Sequence, residues 1–558
     1  MGGIRQAAPL GDRVLGAATV LVAALLIVGL AIPLAIMLAK SYQDSRGAFV
    51  GLANYAAYFS SPAPLASIGN TFVIGVVSTL VTIPLAFAYA YGIHRSRMPG
   101  KGVFRAIALI PLLTPSLLFA LSFVQLFGNQ GILKDLLFGQ TIYGPIGIVA
   151  GMTFAHFPHT FIIISTALSL ADRRLFEAAE SLGTSQLRIF RTLTLPAAKY
   201  GLVSAAIVSF MLSITDFGIP KVIGGQYDVL ATDIYKKVIG QQDFELGAVV
   251  SVLLLIAAVL AFAAVRTVQR KQVAMMSTRA IPYEPRPRRA FDTVMFLYCA
   301  VIALAIVGII AVAGVSSFIK FWPYNLGLTL RHYNFDLAAG GGWQAYLNSL
   351  KLATWTAVVG TAIVFLGAYQ VEKSRGMTRI RQLIQVLAAT PMAVPGLVLG
   401  LAYIFFFNDA ANPLGFLYGS MGILVLVTII HYYSVTHFTM VTALKQIDAD
   451  FESVSDSLKT PRYRTLWRVT VPLCMPAILD VSIYFFLSAM TTVSAVVFLY
   501  STHTSLASIA VINMDDAGEF AHASAMAMVI VATCIAARGV HWLLTRGIQR
   551  RTQAWRAA

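Results

Sequence analysis

Long apolar runs recur along this 558-residue chain and restrict what it can fold into. A helix needs about 20 apolar residues to cross a lipid bilayer. Backbone groups inside lipid must bond within their own segment, so such runs are expected to be helices. The chain is 58% hydrophobic and 12% charged, which is about half the charged share of a soluble protein. We predict an all-α membrane protein with twelve transmembrane helices, at 14–39, 70–93, 103–127, 144–170, 200–219, 246–265, 292–318, 347–371, 382–407, 419–444, 476–498 and 521–545.

One polar segment occurs twice between these runs. Residues 171–196 read ADRRLFEAAESLGTSQLRIFRTLTLP, and residues 447–472 read IDADFESVSDSLKTPRYRTLWRVTVP. The second copy follows the first at a constant offset of 276 residues (448 − 172). We call residues 172–196 the first loop and residues 448–472 the second loop.

The repetition extends to the apolar runs around both loops. The second predicted span of each half ends in a basic cluster, HRSR at 94–97 and EKSR at 372–375. A parallel duplication of this kind is typical of transporters built from two related bundles. It predicts two homologous six-helix halves, residues 1–270 and 292–558, joined by a cytoplasmic linker at 271–291.

Basic residues give the predicted orientation. The chain has 41 Lys and Arg against 24 Asp and Glu, a formal net charge of +17. With both chain ends in the cytoplasm, most of these cations fall in short cytoplasmic segments, which follows the positive-inside rule. Anionic membrane lipid accounts for the excess positive charge, so lipid is a predicted partner and nucleic acid is not. Both loops are then cytoplasmic.

The first loop has the pattern of a helical hairpin. Asp172 is a predicted N-cap, and Gly183 is the predicted helix stop because glycine adopts positive φ at little cost. A second short helix is expected over residues 185–195, ended by Pro196. Apolar residues recur on one face of the first helix: Leu175, Ala178 and Leu182. The alternative is an amphipathic hairpin that lies on lipid without a protein partner.

These residues carry a family resemblance. An EAA triplet followed by a glycine, and then by leucine and proline, is similar to the loop signature of permease subunits of binding-protein-dependent ABC importers. The matching residues are Glu177, Ala178, Ala179, Gly183, Leu195 and Pro196. The resemblance implies the type I ABC importer permease fold in a bacterial inner membrane. It also implies two partners, a cytoplasmic ABC ATPase in two copies that docks on the loops and a periplasmic solute-binding protein.

The second loop departs from this signature. The EAA triplet becomes Ser453, Val454 and Ser455. The residues assigned to coupling there are Glu452, Asp456, Leu458, Lys459 and Pro472. Since Lys459 replaces the glycine, its turn is expected to be strained or differently built. We therefore predict two unequal ATPase-coupling loops.

The sequence contains no recognisable catalytic centre. It has no GxxxxGK[ST] phosphate loop, so ATP hydrolysis is expected on a separate subunit and the chain is predicted not to be an enzyme. The histidines of the fourth and tenth spans lack clustered carboxylates or cysteines, so no metal site or cofactor is predicted. These histidines are His156, His159, His431 and His437.

Some residues inside the spans are candidates for a gate or pathway. Two prolines lie four residues apart in the third span of each half, where each removes a helix hydrogen bond. They are Pro111 with Pro115 and Pro391 with Pro395. Asp216, near the outer end of the fifth span, is a further candidate because an intramembrane carboxylate is costly. A solvated helix end is the alternative for Asp216.

The cargo is predicted from resemblance alone. The fused two-copy arrangement is similar to permeases for ferric iron, thiamine and 2-aminoethylphosphonate. Residues 213–240 and 490–528 resemble the corresponding segments of 2-aminoethylphosphonate permeases, so we predict that cargo, with ferric iron or thiamine as the alternative. A secondary transporter is less favoured, because such proteins carry intramembrane charge pairs and often inverted repeats.

Overall fold

A computed structural model describes residues 10–169, 172–274, 283–374, 377–448, 450–458 and 460–552. Within these ranges ten helices are long and apolar enough to cross a membrane, and two bent helix pairs pass the same test together. Counting each bent pair as one span gives twelve. The all-α membrane fold with twelve spans is therefore confirmed. Lys459 lies outside the described residues.

The chain forms two compact units that do not follow the order of the sequence. The first unit comprises Ser41–Trp343 and Ser508–Val531. The second comprises the residues up to Lys40, Gln344–Ala507 and the residues from Ala532 onward. The opening helix of each sequence half is thus grouped with the other half. The halves 1–270 and 292–558, with the linker 271–291, remain a prediction about duplication along the chain.

The first unit consists almost entirely of helices. Its α-helices are Ala53–Phe59, Pro62–Arg95, Lys101–Leu109, Ser116–Phe127, Pro145–Ser169, Arg173–Ser181, Gln186–Ile189, Leu195–Thr215, Gly218–Ile223, Leu230–Tyr235, Phe244–Ala274 and Arg289–Ser317. Short 3₁₀ turns lie at Ile110–Leu113, Lys134–Leu137, Arg331–Tyr333 and Phe335–Leu337, and π turns at Phe190–Thr194 and Lys236–Gly240. Antiparallel strands Ile319–Phe321 and Asn325–Leu328 form a small hairpin that the apolar runs did not predict.

The second unit repeats this plan. Its α-helices are Leu10–Leu26, Ile32–Lys40, Gly342–Glu372, Thr378–Ala389, Gly396–Phe407, Met421–Lys445, Asp450–Ser457, Arg462–Thr465 and Val471–Thr491. Its 3₁₀ turns are Thr390–Ala393 and Gly415–Leu417, and its π turns are Ile27–Ala31 and Leu466–Thr470. Two last helices, Ala507–Asp516 and Phe520–Thr552, contribute residues to both units.

The core of the first unit is built around the buried ring of Tyr89. Its hydroxyl donates to the carbonyl oxygen of Phe104 at 2.7 Å, so the phenol is satisfied away from water. Phe157 and Phe161 each meet this ring edge-on, with centroids 5.5 Å away. Close helix packing also depends on Gly201, because a Cβ there would lie 2.2 Å from the Cβ of Ala167.

The core of the second unit uses a similar device. The Tyr403 hydroxyl, which is fully buried, donates to the carbonyl oxygen of Gly29 at 2.7 Å. This bond joins the first span of the chain to the bent third span of the second sequence half. A Cβ on Gly29 would approach the Ile430 side chain at 3.2 Å, so the small residue permits the contact.

The fifth span of each half begins earlier than predicted. The helices run over Gln186–Thr215 and Tyr463–Thr491, whereas the apolar runs predicted 200–219 and 476–498. The first of them ends because Asp216 is extended and its Oδ1 accepts the amide of Ile219 at 2.9 Å. The apolar residues beyond each end therefore belong to re-entering turns and short helices, which hydrophobicity alone does not distinguish.

Candidate functional site

The helix of the first loop starts at a capped end. Asp172 is extended, and its Oδ1 accepts the amide of Arg174 at 3.1 Å, so the predicted N-cap is confirmed. Glu177 pairs with Arg173 one turn earlier, with 2.7 Å between Oε1 and Nε. The hydrogen bond to Glu177 raises the pKa of Arg173.

The same helix ends at Gly183 in the geometry that glycine allows. Gly183 has φ +68°, and its amide donates to the carbonyl oxygen of Glu180 at 3.0 Å. The amide of Thr184 donates to the carbonyl oxygen of Ala179 at 3.0 Å. These two bonds form a Schellman motif, so the predicted glycine stop is confirmed. A Cβ on Gly183 would meet no atom within 4 Å, so only the backbone conformation requires glycine.

The predicted second short helix ended by Pro196 is wrong. Residues Gln186–Thr215 are one continuous helical segment that leads from the loop into the fifth span. Leu195 donates to the carbonyl oxygen of Phe190, five residues back, which makes a π turn just before Pro196. The wider turn accommodates the proline ring and its missing amide, so the helix continues instead of stopping. In the second loop the amide of Val471 bonds to Leu466 in the same way before Pro472.

The base of the first loop is held by Arg95, at the end of the second span. Its guanidinium lies 4.5 Å from the ring centroid of Phe176 and 4.4 Å from that of Tyr283. It also donates to the carbonyl oxygen of Leu168 at 3.3 Å, in the last turn of the fourth span. One buried cation therefore joins two spans and the loop helix.

The described end of the interhalf linker packs on the first loop. We call residues 283–288 the strap. Glu180 of the loop helix accepts from Arg286 at 3.1 Å and from Arg288 at 3.3 Å. Burial of the Tyr283 ring, with help from the Glu180 carboxylate, raises the pKa of Tyr283, so its hydroxyl stays protonated at neutral pH. The strap thus covers one side of this loop with a tyrosine and two arginines.

The second loop reproduces the backbone of the first. Asp448 accepts the amide of Asp450 at 3.1 Å, as Asp172 does for Arg174. The amide of Thr460 donates to the carbonyl oxygen of Ser455 at 2.9 Å, which matches the Thr184 bond of the first loop. The side chain of Asp456 and the whole of Lys459 lie outside the described residues.

The base of the second loop is held by a different pair. Lys373 ends the second span of its half, as Arg95 does in the other. Its ammonium lies 3.2 Å from Oε1 of Glu452, with the two side chains 8% and 21% exposed. It also donates to the carbonyl oxygen of Ile447 at 2.8 Å, just beyond the fourth span. At the offset of 276 residues, Glu452 replaces Phe176, so an ion pair replaces a cation–π contact.

The two helices of each hairpin are also fastened differently. In the first loop Phe176 and Ile189 are buried together, with Ala179 packed against them. In the second loop the residues equivalent to Ala179 and Ile189 are Ser455 and Thr465, and their hydroxyl groups are hydrogen-bonded. An apolar contact on one side is therefore a polar contact on the other.

Both loops present an apolar stripe to solvent. Leu182 is 83% exposed, and Leu458 at the equivalent position is 72% exposed. The stripe residues are Leu175, Ala178 and Leu182 in the first loop, and Phe451, Val454 and Leu458 in the second. Spacings of three and four residues place each set on one helix face. In the second loop this face borders a cavity of about 650 Å³ that is also lined by Arg464 and Arg468.

The four predicted gate prolines lie at sharp bends. The third span is bent by 99° between Lys101–Leu113 and Ser116–Phe127, and by 116° at the matching place in the second unit. All four prolines are buried: Pro111, Pro115, Pro391 and Pro395. The residue before Pro115 is extended, with φ −119° and ψ 131°, because the proline ring excludes the helical conformation there. Proline chemistry thus accounts for the bends.

Asp216 lies in a polar contact that the sequence reasoning did not find. Its Oδ2 is 3.6 Å from Nε2 of His156, and both side chains are largely buried. The Ser213 hydroxyl lies 3.4 Å from the other ring nitrogen of His156. Among the described residues no group of three His, Cys, Asp or Glu could hold a metal ion.

Several residues at the loop bases were missed by the sequence analysis. The basic clusters at 94–97 and 372–375 mark the ends of two predicted spans. Their offset of 278 residues, against 276 for the loops, aligns Arg95 with Lys373. That alignment was the available signal. Nothing in the sequence signals the strap contact, because it depends on the tertiary position of Tyr283.

Two equivalent hairpins, each between the fourth and fifth spans of its half, are the mark of a duplicated membrane transport protein. The family profile described as binding-protein-dependent transport system inner membrane component matches residues 81–274 and 361–550. The chain belongs to this family. It is a multi-pass permease subunit of an ABC importer, a transport component and not an enzyme, and its two matched regions agree with the type I importer permease fold.

Named relatives extend over most of the chain. The ferric transport system permease protein FbpB of Actinobacillus pleuropneumoniae is 27% identical over 479 residues, covering 83% of this chain and 68% of the relative. The Fe(3+)-transport system permease protein FbpB 2 of Haemophilus influenzae is 22% identical over 509 residues, covering 91% and 95%. Among solved structures, a chain of a bacterial ABC transporter that imports alginate covers 48% of this chain and 97% of its own length, at 16% identity and TM-score 0.41.

Proposed function

We propose that the two loops are the docking sites for cytoplasmic ABC ATPase subunits, one subunit at each loop. The observation that carries the proposal is the matched apolar stripe, exposed at equivalent positions of both hairpins. Exposed apolar side chains rimmed by charges are typical of a protein interface. The surrounding charges differ between the loops, so a pair of identical ATPase subunits would meet two unequal surfaces.

The loops are built to pass a movement into the membrane. Each loop continues into its fifth span without a helix end, over Gln186–Thr215 and Tyr463–Thr491. Each loop base is also tied to the second and fourth spans by one buried cation, Arg95 or Lys373. A displacement of the hairpin tip therefore acts on three spans together. The bends at Pro115 and Pro395 are the proposed gate elements, with Asp216 as a pathway candidate.

The proposed cargo is ferric iron, delivered from the periplasm by a binding protein. Relatives named as ferric permeases extend over 83% and 91% of the chain, which favours this cargo. 2-Aminoethylphosphonate is the second candidate, because residues 213–240 and 490–528 resemble the permeases for that solute. Since the described residues offer no metal-ligand group, cargo recognition is assigned to the binding protein. Both chain ends are proposed to be cytoplasmic.

Reconstituted vesicles test the cargo and the energy source together. They contain this chain, its ATPase and its binding protein, with ATP supplied on the cytoplasmic side. We expect ATP-dependent accumulation of labelled ferric iron, and no ATPase activity from the purified chain alone. Uptake of labelled 2-aminoethylphosphonate without iron would transfer the assignment to the second candidate. Uptake driven by an ion gradient without the ATPase would contradict the mechanism.

Charge substitutions in the stripe test the docking sites. Leu182→Asp and Leu458→Asp each place a carboxylate in the proposed interface, where burying an unpaired charge is costly. We expect each variant to lose copurification with the ATPase, with normal amounts in the membrane. Leu136→Asp is the matched control, because this exposed leucine lies in a loop that we place outside. Full ATPase binding by both stripe variants would refute the docking sites.

A further inference from the structure

The first unit contains a cavity on the side of the membrane opposite to the first loop. Its volume is about 580 Å³, which suits a small molecule. It is lined by the end of the third span, the strand hairpin and the start of the last helix. Polar and aromatic lining residues are Gln125, Tyr143, Lys320, Trp322, His332 and His522.

The floor of this cavity is held by hydrogen bonds to Gln125. Its side-chain amide donates to Ser524 at 2.6 Å and accepts from Ser316 at 2.8 Å. The Trp322 indole donates to the carbonyl oxygen of Gln125 at 2.9 Å. The walls are therefore preorganised, and the indole ring reports on whatever occupies the space.

A long helix begins at the cavity wall. The helix Phe520–Thr552 opens with Phe520, Ala521 and His522, which all line the cavity. Its first internal bond at this end runs from the amide of Ala523 to the carbonyl oxygen of Glu519. The three preceding amides have no helical acceptor, and such helix starts attract anions.

A buried histidine supplies a second polar group. His332 is 8% exposed, and its Nε2 donates to the carbonyl oxygen of Ile319 at 2.9 Å. Its Nδ1 is buried and has no hydrogen-bond partner among the described residues. Nε2 carries a proton, so in the neutral form of the ring Nδ1 is an acceptor and requires an O–H or N–H donor. Nε2 of His522, whose ring meets that of His332 at 5.0 Å, is likewise without a partner there.

Charged side chains at the cavity rim are the third feature of the site, after the helix amides and the histidines. Lys320 is exposed and lines the cavity, and none of the hydrogen bonds or ion pairs of the described residues engages its ammonium. One carboxylate is also present, that of Glu519, whose Oε2 accepts the amide of Ala339 at 2.9 Å. That bond satisfies one oxygen of the only carboxylate among the described lining residues.

We infer that this cavity binds a small oxyanion of the phosphate or phosphonate class that keeps one O–H group. The helix amides and Lys320 hold the anionic oxygens, and the O–H donates to Nδ1 of His332. A fully deprotonated anion such as sulfate satisfies the cations but leaves Nδ1 of the neutral ring without a donor. The inference does not depend on ferric iron as the cargo or on the ATPase.

Calorimetric titration of the purified chain in lipid nanodiscs tests the site. Inorganic phosphate is the probe, sulfate is the comparison, and potassium chloride at matched ionic strength is the blank, all at neutral pH. We expect saturable phosphate binding with a change in Trp fluorescence that Trp322→Phe removes, and sulfate binding several-fold weaker. Lys320→Gln should weaken phosphate binding by about ten-fold or more, which is typical for losing a hydrogen bond to a charged group.

Matched variants separate a site from a general surface effect. Lys134→Gln removes another outer lysine that does not line the cavity, and phosphate affinity should be unchanged. His332→Phe should abolish the preference for phosphate over sulfate, and a thermal melt reports whether that variant is folded. Absence of saturable phosphate binding, equal affinity for sulfate, or equal losses from Lys320→Gln and Lys134→Gln would each overturn the proposal. The proposal would also be overturned if Lys320→Gln lowered only the affinity for the binding protein and left phosphate binding unchanged. That result would indicate that the cavity binds a carboxylate of the binding protein.

Discussion

The two loops have nearly the same backbone and different fastenings. In the first, Arg95 stacks on Phe176 and Tyr283, and the hairpin helices meet through apolar side chains. In the second, Lys373 pairs with Glu452, and the hairpin helices meet through hydroxyl groups. Both members of the contact therefore differ between the loops: the first loop pairs an arginine with a phenylalanine, and the second pairs a lysine with a glutamate. Both loops have a cation at the end of the second span, but the chemical type of the residue that it contacts differs.

This difference indicates which features the hairpin requires. Three features occur in both loops: the aspartate N-cap, the backbone hydrogen bond that closes the turn after the helix, and the π turn before proline. They set the geometry. The strap that pairs with Glu180 is described only for the first loop. Because different contacts fasten the two loops, substitutions should affect them unequally.

The largest expected effect is at Gly183. In Gly183→Pro the ring holds φ at about −65° where the turn has a positive angle, and it removes the amide bonded to Glu180. We expect transport to be abolished, whereas Lys459→Ala should do less harm because that turn already dispenses with glycine. Uptake assays at matched membrane levels provide the measurement. Gly183→Ala should cost only about 1 kcal/mol, since it meets no neighbouring atom.

Removing the buried cation of the second loop comes next. Lys373→Met leaves Glu452 without its partner in a largely buried place, so we expect the loop to be destabilised by about 3 kcal/mol. A thermal melt in nanodiscs and the stimulated ATPase rate report the loss. The double variant Lys373→Met with Glu452→Gln should recover most of it. No recovery would indicate that Lys373 acts mainly through its bond to the Ile447 carbonyl.

The equivalent change in the first loop should be milder. Arg95→Met leaves no buried opposite charge behind, so the cost is the lost cation–π and carbonyl contacts, about 1–2 kcal/mol. Arg95→Lys should restore part of this stability. The same thermal melt compares it directly with Lys373→Met. A larger loss from Arg95→Met than from Lys373→Met would reverse the proposed ranking.

The smallest structural effect is expected at Glu177. Its pair with Arg173 is solvent-exposed, and such pairs add little to stability, so Glu177→Gln should leave the melting midpoint unchanged. If Glu177 contacts the ATPase, as the loop resemblance implies, the same variant should still lower ATP-driven uptake. Ser453→Gln, at the equivalent position, is the control. Unchanged uptake by Glu177→Gln would remove this residue from the coupling surface.

Local chemistry explains what the sequence predicted well. The cap at Asp172, the stop at Gly183 and the break before Pro115 each depend on residues within four positions, so their structure follows from local rules. The apolar runs predicted twelve spans because lipid leaves few alternatives to helices. The predicted helix end at Pro196 was wrong because a π turn accommodates the proline, and no local sequence rule predicts that turn.

The remaining features depend on distant parts of the chain. Phe176 and Tyr283 meet Arg95 only after three separate segments are packed, and His156 finds Asp216 across two spans. The cavity at Lys320 joins residues nearly 400 positions apart, from Gln125 to His522. Sequence periodicity reports which face of a helix is buried, but not which neighbour covers it. The loop roles and the gate prolines accordingly remain predictions.

The exchange of opening helices between the units has a consequence for biosynthesis. Domains generally fold as units, beginning with the part that leaves the ribosome first. Here the first unit lacks Ser508–Val531 until nearly the whole second unit has been synthesised, and the second waits for its last helix. Neither unit can close while the chain is short, so a ribosome that stops early releases two incomplete bundles. Every product that stops before Ser508 therefore lacks a part of each unit.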